Sequence, residues 1–106
     1  MTHQPPALVA VSHGTSSAAG RAAVRALYDA MVTAAAERWG AAAPEMRLGH
    51  VDVEQPDVPA SLASLPPDLP AVVVPLLVSA GYHVHVDLAD AAESARAGGR
   101  EVVVAD

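Results

Sequence analysis

Three short polar segments in this chain each follow a stretch with the composition of a buried strand. The segments are Ser12-His13-Gly14 after residues 8–11, Asp52-Val53-Glu54 after residues 46–51, and Gly81-Tyr82-His83 after residues 72–78. In an open parallel sheet, the carboxyl ends of the strands meet at one crevice, where α/β proteins bind their ligands. Imidazole and carboxylate groups are suitable ligands for a borderline divalent metal. The pattern therefore predicts metal chemistry at one edge of a sheet.

The two histidines in these segments are the first candidates for chemistry. A lone histidine is more often structural, but His13 lies where a strand turns into a glycine-rich loop, and such loops carry function in this architecture. His83 has the same setting, and Gly81 allows the backbone to turn sharply beside it. His85 shares a face with His83 if the segment is extended and diverges from it in a helix. We therefore favour His83 and treat His85 as peripheral.

The acidic residues Asp52 and Glu54 are the candidate carboxylate ligands. In a strand they share one face with His50. For either residue alone, a solvated strand end is an equally good interpretation. Together they place negative charge beside the predicted crevice, where a carboxylate would raise the proton affinity of an imidazole or complete a cation site.

The loop at residues 14–17 has the composition of an anion-binding segment that opens a helix. Backbone N–H groups at a helix N-terminus favour negatively charged groups. The loop has neither the lysine nor the glycine spacing of a nucleotide-binding loop, so the sequence does not support binding of nucleoside triphosphates.

Strands and helices are predicted to alternate along the chain, which implies a parallel sheet with helices on both faces. A helix should begin at Ser16 or Ser17 and end at Gly40, a second should be capped by Asp57, and a third should begin at Asp87 or Asp90. Pro75 disfavours a central strand and predicts a bulge or an early bend. The predicted strands are residues 8–11, 46–53, 71–78 and 101–105, with a loop at residues 81–86.

Composition limits the kinds of protein this chain could be. Its 106 residues suffice for one domain, and the absence of cysteine excludes disulfides and thiolate chemistry. A net charge of −6 with only six Lys and Arg residues argues against nucleic-acid binding. The sequence has no signal-peptide pattern and no apolar run near the roughly 18 residues of a membrane helix. We therefore expect a cytoplasmic protein with no membrane partner.

The last predicted strand is followed by no helix to cover it. A parallel strand is normally buried on both faces. We therefore expect either a second copy of the chain or a second unit of a longer protein to cover this part of the sheet.

The three motifs together resemble the CbiX/sirohydrochlorin chelatase family, the class II tetrapyrrole chelatases. The resemblance covers residues 8–14, Val51-Asp52-Val53 with Pro56, and residues 73–84 with Asp87. Its most specific part is the Pro-Leu…Ala-Gly-Tyr-His segment, which also accounts for Pro75. The resemblance implies a flavodoxin-like unit over residues 1–106, with the final helix missing. Such units occur as a dimeric short form or as one half of a longer two-unit protein.

The resemblance also implies an activity and a set of site residues. The activity is insertion of Fe²⁺, Co²⁺ or Ni²⁺ into sirohydrochlorin, in siroheme or cobalamin biosynthesis, without ATP or an organic cofactor. The family's two histidines match His13 and His83, which would act as metal ligand and proton acceptor. The family's carboxylate, usually glutamate, matches Asp52, and Glu54 is the alternative ligand. The residues expected to contact the tetrapyrrole are Ser12, Gly14, Thr15, Ser16, Gly81 and Tyr82.

Two other classes of function remain open on the sequence. Residues 11–15 are similar to the strand and Arg-His-Gly motif of histidine phosphatases, but Ser12 stands where that family has its phosphate-binding arginine. The other alternative is a non-catalytic unit that only binds metal or tetrapyrrole, or that only packs against a partner.

Overall fold

The strands and helices alternate as expected in the computed structural model, which describes residues 5–51, 53–76 and 82–105, including their side chains except at 82–86. A single 3₁₀ turn, Gly40–Ala42, follows the first helix. The elements in chain order are β1 (Ala7–Ser12), α1 (Ala18–Trp39), β2 (Met46–His50), α2 (Val58–Ala63), β3 (Ala71–Pro75), α3 (Tyr82–Ala97) and β4 (Val102–Val104).

The four strands form a parallel sheet in the order β2-β1-β3-β4, which confirms the predicted fold class. β1 is central: Ser12 is in register with His50 of β2, and Val11 is in register with Pro75 of β3. The chain leaves β1 towards one side for β2 and then crosses to the other side for β3. The neighbouring strands β1 and β3 therefore border the point where the strand order reverses, where open α/β sheets bind ligands at their carboxyl edge.

One face of the sheet carries the hydrophobic core. Alternate residues of β1, among them Val9 and Val11, are fully buried on this face, as the period of two in a strand requires. The helices α2 and α3 cover it with Leu62, Leu88 and Ala92. The first helix contributes no residue to this cluster, and right-handed crossovers place it on the opposite face.

Both ends of α1 and the start of α2 follow their predicted capping residues. The side chain of Ser17 accepts a hydrogen bond from the Gly20 N–H, and α1 ends at Gly40, which has a φ of +55°. The carboxylate of Asp57 accepts from the Ala60 N–H at 2.9 Å and caps α2. Each cap satisfies backbone groups that the helix itself leaves unpaired.

The structure corrects three predicted boundaries. The second strand ends at His50 and not at Val53. The third ends at Pro75, and residues 77 and 78 of the predicted strand lie outside the described part of the chain. The predicted loop at residues 81–86 is wrong over residues 82–86, because the third helix begins at Tyr82 and not at Asp87 or Asp90. The alternation of His and Val over residues 83–86 has the period of a strand, but burial of Leu88, Ala91 and Ala92 against the sheet favours one continuous helix.

Gly49 in β2 allows α2 to approach the sheet closely. A Cβ at this position would lie 2.6 Å from Oγ of Ser61 and 3.1 Å from its Cβ. Ser61 is itself almost fully buried and donates to the backbone oxygen of Asp57. A larger residue at position 49 would therefore push α2 away from the end of β2.

The face of the sheet opposite the core has exposed apolar side chains. Val103 of β4 is 61% exposed, and its register partner Val72 is half-buried. Trp39 at the end of α1 is 52% exposed and lines a cavity of about 360 Å³ together with Leu8 and Val72. Within the described ranges, no helix has the length and apolar character needed to cross a membrane.

Candidate functional site at the carboxyl edge of the sheet

His13 lies at the carboxyl edge of the sheet, directly after β1. Its side chain is exposed, whereas Ser12 before it is buried. Gly14 then takes a φ of +97°, a conformation that L side chains rarely adopt, and starts the loop to α1. The switch from buried strand to glycine-rich loop therefore leaves an imidazole accessible at this edge.

His83 is the second residue of α3, the helix that follows β3. This helix must run antiparallel to the strands, since it returns the chain to the start of the parallel strand β4. Its N-terminal turn therefore lies at the same edge as His13, because β1 and β3 are neighbours. His85 is two positions further along the helix, and residues so spaced do not face each other.

Two predicted site residues, Asp52 and Gly81, lie outside the described part of the chain. For Tyr82 and His83 only the helical backbone is described. Among the residues with described side chains, no three His, Asp or Glu groups come together in a way that could hold a metal ion. The proposed ligand set is therefore still a prediction.

Behind His13, the ends of β1 and β2 are joined by a buried polar pair. Ser12 and His50 are 4% and 5% exposed, and Oγ of Ser12 hydrogen-bonds Nδ1 of His50. The backbone continues the link, since the Val51 N–H donates to the Ser12 oxygen at 3.0 Å. Buried polar groups are normally satisfied in this way, and the pair fixes the ends of the two strands relative to each other.

Glu54 approaches this pair from the segment after β2. Its Oε2 accepts from the Thr15 N–H at 2.9 Å and lies 3.7 Å from Nδ1 of His50. Its Oε1 lies 3.7 Å from Nε of Arg21. The preceding Val53 has a φ of +71°, which is unusual for a β-branched residue. Such backbone outliers often occur at functional sites.

Serine, histidine and glutamate also occur together in hydrolases, but the arrangement here differs from a catalytic triad. In a triad, the nucleophile and the acid contact different nitrogens of the imidazole. Here Ser12 and Glu54 both approach Nδ1 of His50. The Ser12 side chain is also buried, so its hydroxyl is not accessible to a substrate. The geometry therefore indicates a structural role for the serine.

The loop after His13 is held mainly through Thr15. Its backbone oxygen accepts from Nε of Arg21 at 3.0 Å, and its Oγ1 accepts from the Ser17 N–H at 3.1 Å. Its methyl group packs so closely on Gly20 that a Cβ there would be 2.8 Å away. Since the N–H of Thr15 is bonded to Glu54, this part of the predicted anion-binding loop is already occupied within the protein.

Tyr28 lies on α1, outside this group of residues. Burial raises the pKa of Tyr28, and the neighbouring Arg25 cation opposes that effect. Arg47 and Glu45, which also influence this tyrosine, lie at the start of β2. The raised pKa of Tyr28 therefore results from the packing of α1 and is unrelated to the carboxyl edge of the sheet.

Sequence reasoning missed the bond between Ser12 and His50. Each residue was recognised separately, but the pair requires the register between β1 and β2. The signal was present in the alternation of the two strands, since Leu8, Ala10 and Ser12 face the same side as Met46, Leu48 and His50. Aligning the two strands by their first predicted residues, Leu8 and Met46, would have brought the serine next to the histidine.

The fold and the position of His13 define an open parallel α/β protein with its candidate site at the strand-order reversal. The CbiX family model matches residues 7–106, so the chain belongs to the CbiX family. It is also similar to a crystal structure described as a cobalamin (vitamin B12) biosynthesis CbiX protein from Marinobacter aquaeolei VT8. The TM-score is 0.66 at 19% identity, over 96% of this chain and 81% of that chain. A search of curated proteins found no match.

Proposed function

We propose that this protein is a sirohydrochlorin chelatase, which inserts a divalent metal into a tetrapyrrole. Membership of the CbiX family supports a chelatase-like role. The observation that carries the proposal is the placement of two histidines after neighbouring strands. His13 follows β1 and His83 begins α3 after β3, on either side of the strand-order reversal.

In the proposed reaction, one metal ion replaces two pyrrole protons of the macrocycle. The metal forms bonds to the four ring nitrogens while two N–H bonds break, so two protons leave for each metal inserted. An imidazole with an ordinary pKa near 6.5 can accept such a proton near neutral pH. His13 and His83 would share the roles of proton acceptor and metal ligand, and Asp52 would supply the carboxylate.

A chelatase must hold its metal weakly enough to release it. Two imidazoles and one carboxylate leave coordination positions open, through which the ring nitrogens can displace the protein ligands one by one. These ligand types accept iron, cobalt and nickel, so the choice of metal is not determined by the ligand set. Cobalt is the first metal to test, since the crystal structure similar to this chain is described as a cobalamin biosynthesis protein.

The tetrapyrrole substrate would lie over the loop after β1 and the start of α3. Gly14, Ser16, Gly81 and Tyr82 are the residues that we expect to contact it. Ser12 and Thr15 would instead shape the loop, because the hydroxyl of the first and the N–H of the second are bonded inside the protein. The substrate's carboxylates would meet a protein of net charge −6, so we expect substrate binding to weaken at low ionic strength.

The test is metallation of sirohydrochlorin by the purified chain. The absorbance spectrum of the tetrapyrrole is the readout, and Co²⁺, Fe²⁺ and Ni²⁺ are tested in parallel. We expect a rate above that of the free metal and macrocycle, with two protons released per metal. Binding of sirohydrochlorin or cobalt without faster insertion would instead support the non-catalytic alternative.

A further inference from the structure

Glu54 is surrounded by groups that favour a bound carboxylate and disfavour a bound cation. Its side chain is 12% exposed. One oxygen accepts from the Thr15 N–H, and the other faces Nε of Arg21. A metal ligand must direct a lone pair towards the metal, and a guanidinium 3.7 Å away would repel that metal. The surroundings of Glu54 therefore suit an anchor better than a ligand.

The group that Glu54 anchors is the loop carrying His13. Thr15 is two residues after His13; its N–H donates to Glu54, and its backbone oxygen accepts from Nε of Arg21. These bonds hold the two peptide groups on either side of the Thr15 Cα. Only Gly14 separates Thr15 from His13, so a displaced backbone at Thr15 would also displace the backbone next to His13.

The strand end that precedes Glu54 is held by hydrogen bonds of its own. The buried pair of Ser12 and His50 joins the ends of β1 and β2, and the Val51 N–H adds a backbone bond to the Ser12 oxygen. The segment after β2 is also tied back to the sheet, since the His50 N–H donates to the Pro56 oxygen at 3.0 Å. Glu54 therefore extends from a fixed strand end towards the loop after the neighbouring strand.

We propose that Glu54 is a positioning residue that holds the loop after β1, and with it His13, against the end of β2. Its importance for catalysis rests on the proposed chelatase function, whereas its effect on the loop does not. Displacement of a catalytic group by about 1 Å can lower a rate by about a hundredfold, so loss of this anchor should lower kcat.

The first experiment measures the hydrogen-exchange rate of the Thr15 amide, which reports directly how firmly the loop is held. We expect Glu54→Ala to speed exchange by at least about tenfold, because the acceptor is removed. Glu54→Gln should leave exchange near wild type, since the amide oxygen can still accept the bond. Glu101→Ala is the matched control, an exposed carboxylate before β4 at the opposite edge. Unchanged Thr15 exchange in Glu54→Ala would overturn the proposal.

The second experiment separates an anchor from a ligand by titration with Co²⁺ alone and by steady-state metallation. If Glu54 is an anchor, Glu54→Gln keeps the cobalt affinity and kcat of the wild type. The same role predicts that Glu54→Ala lowers kcat by about ten- to a hundredfold with little change in KM. Loss of cobalt affinity in Glu54→Gln with unchanged Thr15 exchange would identify a ligand and overturn the proposal.

The positioning role of Glu54 and the proposed chelatase function can be refuted separately. If the wild-type protein does not metallate sirohydrochlorin, the chelatase proposal fails, while the exchange and cobalt measurements still decide the role of Glu54. If metallation is observed but Glu54→Ala leaves the Thr15 amide protected, the chelatase proposal stands and the positioning role is refuted.

Discussion

At the scale of single residues, the chain uses histidine in two different environments. His50 is buried and bonded to Ser12, so its imidazole serves to join two strand ends. His13 is exposed beside it at the same edge. The proposed transfer of a metal to a substrate requires an accessible ligand, a condition that the exposure of His13 meets and the burial of His50 does not.

The two acidic residues of the second motif should differ in their effect on metal binding. We predict that Asp52→Asn weakens cobalt binding by at least about tenfold, since even residues that support metal ligands contribute about 10–100-fold to affinity. Glu54→Gln should change it little, because Glu54 is bonded to Thr15. Titration of both variants with cobalt gives the comparison. A larger loss for Glu54→Gln would show that Glu54, and not Asp52, is the ligand.

The sequence predicts the positions of these residues in the fold better than it predicts their side-chain contacts. A buried run followed by Ser12-His13-Gly14 was enough to place a histidine at a strand end, because the composition changes abruptly there. The partners of Glu54 could not be predicted, since its contact with Thr15 joins residues 39 positions apart in the sequence. Such contacts depend on strand order and on the unusual backbone at Val53.

At the scale of elements, the site depends on how closely α2 packs on the end of β2. We predict that Gly49→Ala lowers the free energy of unfolding by about 1–3 kcal/mol, the usual cost of overpacking. The cause is the 2.6 Å approach between the added Cβ and Oγ of Ser61. Chemical denaturation measures the change.

Gly98→Ala is the control for this prediction. A Cβ there would meet its nearest neighbour at 3.5 Å, an ordinary contact, so stability should change little. Equal stability of the Gly49 and Gly98 variants would show that α2 can shift without cost and would contradict the described packing.

Element boundaries were predictable where a local chemical signal sets them. Ser17, Gly40 and Asp57 end or begin helices as expected, because capping depends on a side chain and the adjacent backbone. The start of α3 was not predictable from residues 83–86, whose alternation is typical of a strand. The helix there is stabilised by burial of residues further along, a tertiary effect that local pattern does not contain.

At the scale of the whole molecule, the uneven coverage of the sheet predicts self-association. The core face is covered by two helices, while Val103 and Trp39 on the other side are 61% and 52% exposed. We predict a dimer in sedimentation at micromolar concentration. Val103→Asp should weaken it by about tenfold or more, since burial of a valine contributes about 1.5–3 kcal/mol. A monodisperse wild-type monomer would contradict this prediction.

The fold brings the end of β1, which precedes His13, and the start of α3 to the same edge of the sheet, and the proposed site rests on this arrangement. The most direct measurement is the rate of cobalt insertion into sirohydrochlorin by His13→Ala and His83→Ala. His85→Ala, from the same turn of α3, is the matched control, and circular dichroism confirms folding. We predict that the first two variants lose at least about a hundredfold in rate, the range of acid–base catalysis, while His85→Ala stays near wild type. Near-normal rates in both His13→Ala and His83→Ala would contradict the proposed site.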